Sequence, residues 1–464
     1  MVTLVAGLGL ARNELLLFAG VGLLLGGLDD LLLDLLYLLR KVWRDLTVYT
    51  RFPRMSARDL PEPGAAGPIA VFVPAWQESA VIGPMLRRCL SLWAKEDVRI
   101  FVGVYPNDPD TVRVVAGVAE GEGHNKIQLV THSRPGPTTK GDCLNQLWLA
   151  LKAWEAKQGR EALAIVLHDA EDVVHGDALR LIGLLSPRFA LVQLPVLPLV
   201  SARSRWVSGH YVDEFSEAHA KSLLVREALG AALPSAGVGC AFNRTALGLI
   251  AQARGERPFD SISLTEDYEL GLRIGEQGGR GILVRMRDAS GELIATREYF
   301  PDTFNAAVRQ KARWMIGIAL AGWDRLGWAG GWREGWMRLR DRRAALAALI
   351  LAAAYLGFLL SAVVVLVAWF TGTAQPSVSP ILPWLLVINF ILLVWRLLVR
   401  MGFVWQAYGA VEALRSIPRT VVGNFIALFA AQRAVFTYVR HLRGAPLGWD
   451  KTVHRFPDEA TEAG

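Results

Sequence analysis

The sequence has 464 residues, 52% of them hydrophobic and 20% charged, with a net charge of +7 and a mean hydropathy of +0.30. This is too apolar for an ordinary soluble enzyme and too charged for a chain lying wholly in a membrane, so a soluble domain joined to membrane segments is expected. The positive balance suits anionic lipid headgroups or a polyphosphate ligand. No lysine–arginine run with interleaved aromatics marks nucleic acid. Cys89, Cys143 and Cys240 are too scattered for a metal spacing or a disulfide framework, which points to a reducing compartment.

Residues 14–39, "ELLLFAGVGLLLGGLDDLLLDLLYLL", are long enough to cross a bilayer as a helix. The basic residues Arg40, Lys41 and Arg44 follow this stretch, and no small-residue cleavage site is evident, so it is a membrane helix (residues 1–45) and not a secretory signal. The positive-inside rule places its N-terminus outside. Between residues 66 and 300 short apolar runs alternate with helical spacing. "PIAVFVPAW", "VRIFVGVYP", "KIQLVTH", "LAIVLHDA" and "FALVQLPV" read as strands, and "SAVIGPMLRRCLSLWAK" and "GDCLNQLWLALKAWEAK" as helices. Such alternation predicts an α/β domain with a mostly parallel sheet covered on both faces, and ligands then bind at the carboxyl ends of the strands.

Residues 321–343 form a basic, tryptophan-rich joint, with Trp328, Trp332 and Trp336 as interface anchors. Residues 344–370 carry no charge and form the clearest span. The basic "REGWMRLRDRR" before them belongs in the cytoplasm and the uncharged "TGTAQPSVSP" after them outside; residues 381–400 then return, giving two membrane helices over 344–400. Residues 401–440 are expected to be a cytoplasmic loop and a helix. Its core, 421–439, holds Gln432 and Arg433; lying in the interface, it keeps the following Arg440, Arg443, Lys451 and Arg455 and the tail 441–464 inside, whereas as a fourth membrane helix it would put them outside. Asp30 and Asp34 on the first span, and Arg396 and Arg400 on the last, fall at similar depth, either paired with one another or snorkelling to the interface.

The stretch "LAIVLHDAED" drives a buried strand into a histidine and three carboxylates. Asp169 and Glu171, two apart in a turn, can both offer oxygen to one Mg2+ or Mn2+, which takes its other ligands from phosphate and water; the plainer reading is an acidic turn in which Asp172 caps the next helix. Other strand ends are also polar: Gln77 and Glu78, Asn107 and Asp108, and Lys140 opening a helix that holds Asp142 and Asn145. In "SLTEDYELGLRI", Thr265, Glu266 and Asp267 precede an amphipathic helix, where helix capping alone would favour them. In "RQKARWMIG", Gln310, Arg313 and Trp314 share helical spacing, which a membrane-proximal basic helix would also show.

In order, "VFVPAWQES", "NDPD", "TTKGDCLN", "HDAED", "SLTED" and "QKARW" resemble the membrane-bound family-2 glycosyltransferases, the group of bacterial cellulose and hyaluronan synthases, over roughly residues 66–320. "GGLDDLLLD" and "RGAPLGWDKTVHRFP" resemble the phage-adsorption-protein B branch of that family, whose members often carry a C-terminal regulatory domain that this sequence is expected to lack.

The resemblance implies a GT-A-type (Rossmann-like) domain facing the cytoplasm of a bacterial inner membrane. It also implies inverting transfer of a hexosyl or N-acetylhexosaminyl group from a nucleotide sugar, such as a UDP-sugar, to a growing polysaccharide. It assigns Glu78, Asp108, Lys140 and Asn145 to the nucleotide, and Asp169 and Glu171 to the metal, with Glu171 departing from the usual Asp-x-Asp. Glu266 and Asp267 fall in the catalytic Thr-Glu-Asp element, Asp267 as general base. Gln310, Arg313 and Trp314 lie under the acceptor sugar and beside the diphosphate, and "GCAFNR" borders the acceptor. His168 is read as structural. Alternatives are a single transfer to a lipid-linked acceptor, and a non-catalytic receptor or scaffold. Partners beyond donor and acceptor are membrane lipids and an export or outer-membrane protein; nucleic acid is excluded.

Overall fold

The computed structural model describes residues 2–65, 67–445 and 455–457. Among the described residues nine strands form: β1 (Ile69–Pro74), β2 (Val98–Val104), β3 (Ile127–Thr131), β4 (Ala164–Leu167), β5 (Leu191–Gln193), β6 (Val196–Pro198), β7 (Cys240–Asn243), β8 (Gly281–Leu283) and β9 (Thr296–Glu298). Seven make one sheet in the order β3-β2-β1-β4-β7-β5-β8, and β6 pairs with β9 beside it. β1 to β4 run parallel, with Ile69 opposite both Val98 and Ala164. The expected mostly parallel sheet is interrupted by β7, which runs antiparallel to β4 and β5. β7 is four residues long, too short to show a period.

The apolar runs are continuous because both faces of the sheet are covered. Val71, Val73, Ile100, Val102 and Val166 pack with Leu86, Trp93 and Leu181 on one face. Phe72, Phe101, Ile165, Leu167 and Phe242 pack with Leu147 and Trp148 on the other. The helix Lys140–Gln158 starts where expected, because Thr139 accepts a hydrogen bond from Asp142 N (3.2 Å), and it ends at Gly159, whose φ of 68° suits glycine.

Among the described residues three helices are long and apolar enough to cross a membrane: Val2–Thr47, Ala344–Thr371 and Leu382–Leu442. They meet at small residues, with Gly20 against Leu385, Gly22 against Ile350 and Gly357 against Leu16; without water to drive association, such close backbone approach supplies the packing.

At one end of this bundle Asp30 pairs with Arg396, as the matched depths suggest. The second expected pair does not form. Asp34 pairs instead with Lys221 of the α/β domain and accepts from Trp395 Nε1 (2.9 Å), while Arg400 reaches Glu217 (3.3 Å). Arg343 pairs with both Asp29 and Asp30 (2.6 and 2.5 Å), and Arg340 joins them. The basic segment before the second apolar helix therefore neutralises carboxylates of the first one rather than facing lipid alone. Trp336 does not anchor in the interface either: its Nε1 donates to Asp29 (2.6 Å), whereas Trp332 stays 71% exposed.

Helix Leu382–Leu442 breaks at Gly409 (φ 82°, ψ 179°). Beyond that break its polar and small residues face the α/β domain. Arg419 is fully buried against Asp213 (2.9 Å) and Glu412, and Ile426 joins Tyr211 and Phe300. Leu414, Val421, Phe425, Phe429 and Phe436 remain exposed on another side. At the chain's end Arg455 lies 3.8 Å from Asp302, and Phe456 packs on the core of the α/β domain. Most of the C-terminal motif, including Lys451, lies outside the described residues, as do residues 458–464.

Candidate active site at the strand ends

Because β7 is antiparallel, its amino end shares an edge with the carboxyl end of β4: Leu167 pairs with Cys240, and Gly239 N donates to Leu167 O (3.1 Å). This places the loop Gly237–Gly239 beside the carboxylate turn 168–172. Lys140, which opens its helix after β3, reaches across to Asp169 (Nζ–Oδ1 2.6 Å). Burial opposes a charge on Lys140, but Asp169, Glu266 and Asp267 around it outweigh that and hold it protonated, well above the usual lysine range.

The helix Glu266–Glu276 brings the Thr-Glu-Asp element to the same point. A side chain at Gly141, next to Lys140, would meet Asp260 O at 2.5 Å, with Glu266 Cγ just behind. Gly317, seven residues past Gln310, lies so close to Thr265 that an added Cβ would sit 2.5 Å from its Oγ1. Two glycines thus let three distant motifs converge.

Burial raises Glu266 to about 7, and its neighbour Asp267 adds repulsion while Lys140 and Arg313 oppose. Asp267 is also raised by burial, against Lys140, the Tyr268 N–H (2.8 Å) and Arg313. These two carboxylates titrate as a pair, with apparent values above the ordinary carboxylate range.

Asp267 has one further neighbour that the sequence reading missed. Gly237, at φ 77°, leaves room for its Oδ2, and any Cβ there would collide with it. The local signal was present in "SAGVGC", but which side chain needed the space was not. Gly237→Ala is expected to lower kcat by roughly 100-fold through displacement of Asp267, with little change in donor KM; steady-state kinetics on the folded variant checks this.

On the helix Phe304–Met315, Gln310 and Arg313 expose an unmet need. Gln310 Oε1 and Arg313 Nε are buried with no hydrogen-bond partner, as is Thr265 Oγ1. Buried polar atoms are seldom left unpaired, so three at one place mark where a polar ligand would fit. Trp314 packs edge-on to Tyr211 (6.0 Å) beside Phe215 and Phe300.

Two residues expected at the nucleotide are held by the protein itself. Both polar atoms of the Asn145 amide bond the backbone of Phe259 (2.9 and 3.0 Å), so Asn145 tethers the loop leading to Thr265 rather than facing the site. The Asp108 carboxylate accepts from Gln77 N (2.5 Å) and Thr111 N (3.4 Å), which fixes Gln77 at a φ of 55°. Its structural duty is to hold the β1 end; Glu78 beside it is buried and donates its backbone N–H to Thr111 (3.0 Å).

His168 Nδ1 lies 2.6 Å from Asp172 Oδ2, which also accepts from Asp169 N (3.1 Å). Asp172 caps no helix; the next one begins at Ala178. Burial lowers His168 to about 4 and raises Asp172, so a neutral pair with one shared proton shapes the turn.

The metal reading passes a test on the donors present. Asp169 is 31% exposed at its side chain, and its Oδ1 meets Lys140. Glu171, two residues on, is buried in the same turn. Among the described residues no group of three or more His, Cys, Asp or Glu side chains could hold a metal ion. Two hard oxygen donors fit a cation that completes its shell with phosphate and water.

Lys140 and Arg313 thus lie among strand-end carboxylates on a mixed α/β sheet. The model of the family described as glycosyltransferase like family 2 matches residues 66–317, and the chain belongs to that family. It is 39% identical to the bacteriophage adsorption protein B of Escherichia coli K12, and equally to the bacteriophage N4 adsorption protein B of Escherichia coli O157:H7, with 93% of this chain covered. The chain spans 60% of the length of those relatives. Among solved structures it is similar to a mannosyltransferase from Pyrobaculum calidifontis in complex with GDP-Man and Mn2+ (TM-score 0.48, 17% identity, 87% of this chain and 99% of that one). It is also similar to glucosyl-3-phosphoglycerate synthase from Mycobacterium tuberculosis (TM-score 0.36, 17% identity, 60% and 87%).

Proposed function

We propose that the chain transfers a sugar from a nucleoside-diphosphate donor, a UDP-sugar, to a hydroxyl of a growing polysaccharide, with inversion at the anomeric carbon. The observation that carries this reading is the convergence of Lys140, Asp169, Glu266, Asp267 and Arg313, beside the unpartnered Gln310 and Arg313 atoms. Two cations held by buried carboxylates suit a diphosphate leaving group, whose charge grows as the glycosidic bond breaks. Asp169 and Glu171 would hold Mg2+ or Mn2+. When bound there, the ion supplies further positive charge to the diphosphate. Asp267 accepts the proton of the attacking hydroxyl, and attack opposite the leaving group inverts the centre. Trp314 offers an apolar ring edge to the acceptor.

The α/β domain faces the cytoplasm of an inner membrane in this reading. Residues 1–45 and 344–400 span the bilayer, 321–343 join domain to membrane, and the helix past Gly409 lies in the interface on its exposed apolar side.

A base in the coupled pair must be ionised to act. Burial raises Asp267, so activity is expected to fall as pH drops through a value above the ordinary carboxylate range, not near 4. Glu266→Gln removes the partner that shares the proton, so the acid limb should move to lower pH. A kcat/KM profile with its acid limb below 5 in the parent protein would contradict the assignment.

The direct test is UDP release by the detergent-purified chain with a panel of UDP-sugars and Mg2+ or Mn2+, beside Asp267→Asn. Release with one donor, lost in the variant, supports the reading, and product size then separates polymer from single transfer. No release from folded protein above the variant's level with any UDP-sugar sinks it.

A further inference from the structure

A second polar cavity, of about 310 Å³, lies away from the strand-end site, where the first apolar helix leaves the bundle. Its walls are the helical end Tyr37–Asp45, the turn at Ala220–Leu224, β8 with its continuation to Arg285, and Gln406 of the third apolar helix. At ~30 Å³ per water it has room for ten or more waters. Arg40, Lys41, Arg44, Arg54 and Arg285 line it, against only Asp45 and Glu227.

Those two carboxylates are already engaged. Asp45 pairs with Lys41 (3.2 Å) and Arg54 (2.8 Å), and Glu227 accepts from Leu283 N (3.1 Å). Among the described residues, Arg40, Arg44 and Arg285 have no carboxylate within ion-pairing distance. Arg44 lies over the Tyr49 ring (5.1 Å), and Arg285 donates to His219 O (3.1 Å). Burial, with Arg287 nearby, holds Arg285 below the usual arginine range, so a bound anion would relieve an existing tension. The same helical stretch that turns Arg40 and Arg44 to the cavity leaves Leu39, Val42, Trp43 and Leu46 more than half exposed. A helix with an apolar outer face and a basic inner one lies at headgroup depth.

We propose that this cavity binds a phosphate-bearing anion, and that its source is the headgroup of an anionic phospholipid of the leaflet on the α/β-domain side. The site is distinct from the donor site and bridges the first apolar helix, the edge strand of the sheet and the segment just before Gly409. Occupation therefore ties the domain to the apolar helices at a third point, beside the Lys221–Asp34 and Glu217–Arg400 contacts.

The test titrates the full chain in neutral detergent with dihexanoylphosphatidylglycerol, dihexanoylphosphatidylcholine or inorganic phosphate, reading Tm and the apparent Kd from its shift. Phosphatidylglycerol is expected to raise Tm where phosphatidylcholine does not. Arg40→Gln and Arg285→Gln should each weaken the apparent Kd about fivefold, the loss of one near-membrane cation. Arg44→Gln, whose guanidinium lies over the Tyr49 ring, gives the same readout if either other variant misfolds, and Arg113→Gln, an exposed cation elsewhere, should leave it unchanged. An equal shift with inorganic phosphate keeps the phosphate site but overturns a lipid as its source. An equal shift with phosphatidylcholine, or none that the substitutions weaken, overturns the proposal.

Discussion

Asp267→Asn is expected to lower kcat on the order of 1000-fold while donor KM stays within about threefold. The amide is the same size, so it still fits over Gly237 and still lies beside the Tyr268 N–H. Lys140 keeps Asp169, and Arg313 keeps its place on the helix Phe304–Met315, so the charges proposed to hold the diphosphate survive. What is lost is the group proposed to take the acceptor's proton. Folding should not suffer. Burial raises the Asp267 carboxyl, so its ionised form opposes folding above the ordinary carboxylate range, and the neutral amide removes that penalty at pH 8. A variant that keeps more than about a tenth of parental kcat would remove Asp267 from the role of base and direct attention to Glu266.

Arg419→Met is expected to have the largest effect on stability, about 3–5 kcal/mol, the range for removing one partner of a buried ion pair. The guanidinium is fully buried, holds Asp213 and Glu412, and donates to the backbone oxygens of Arg205 (2.8 Å) and Gly209 (3.3 Å). No side chain fits at Gly209 without striking it. The contact joins the segment past Gly409 to the helix Gly209–Glu217, so its loss should loosen that segment from the α/β domain. The sign with pH follows from Asp213. Burial raises it to about 7 even with Arg419 present. A raised carboxylate imposes no penalty below its unfolded value; the penalty grows as pH rises to the folded one. The variant's deficit in Tm should therefore widen between pH 5 and pH 8. An unchanged Tm at pH 8 would show that the segment is held by its apolar contacts alone.

The strands β1, β2 and β4 were legible because each is almost wholly buried and reads as a near-continuous apolar run, and the partly buried edge strand β3 still carried Ile127, Leu129 and Val130. The placement of Lys140 and Asp169 at one edge also followed, since parallel strands present their carboxyl ends together, whereas Glu266 and Asp267 open a helix that follows no strand and were assigned to the site only by the family resemblance. β7 was not legible. Its four residues carry no period, and its direction depends on pairing with Leu167 and Leu191, strands distant in the chain. That reversal is what carries Gly237 to Asp267. Asn145 shows the converse, a polar side chain in the expected motif whose amide the loop at Phe259 claims for itself.

Among the apolar helices, the depth of Asp30 and Arg396 was readable from spacing, and they pair. Asp34 has the same spacing to Arg400, yet meets Lys221, because the α/β domain docks on the helix ends and supplies a nearer cation. Sequence by itself determined the family, the apolar spans and the residue types at the strand ends, since period and composition are local properties of the chain. Only the tertiary structure decided which carboxylate answers which cation, and that Glu266 titrates near 7, because desolvation and charge pairing depend on groups far apart in sequence.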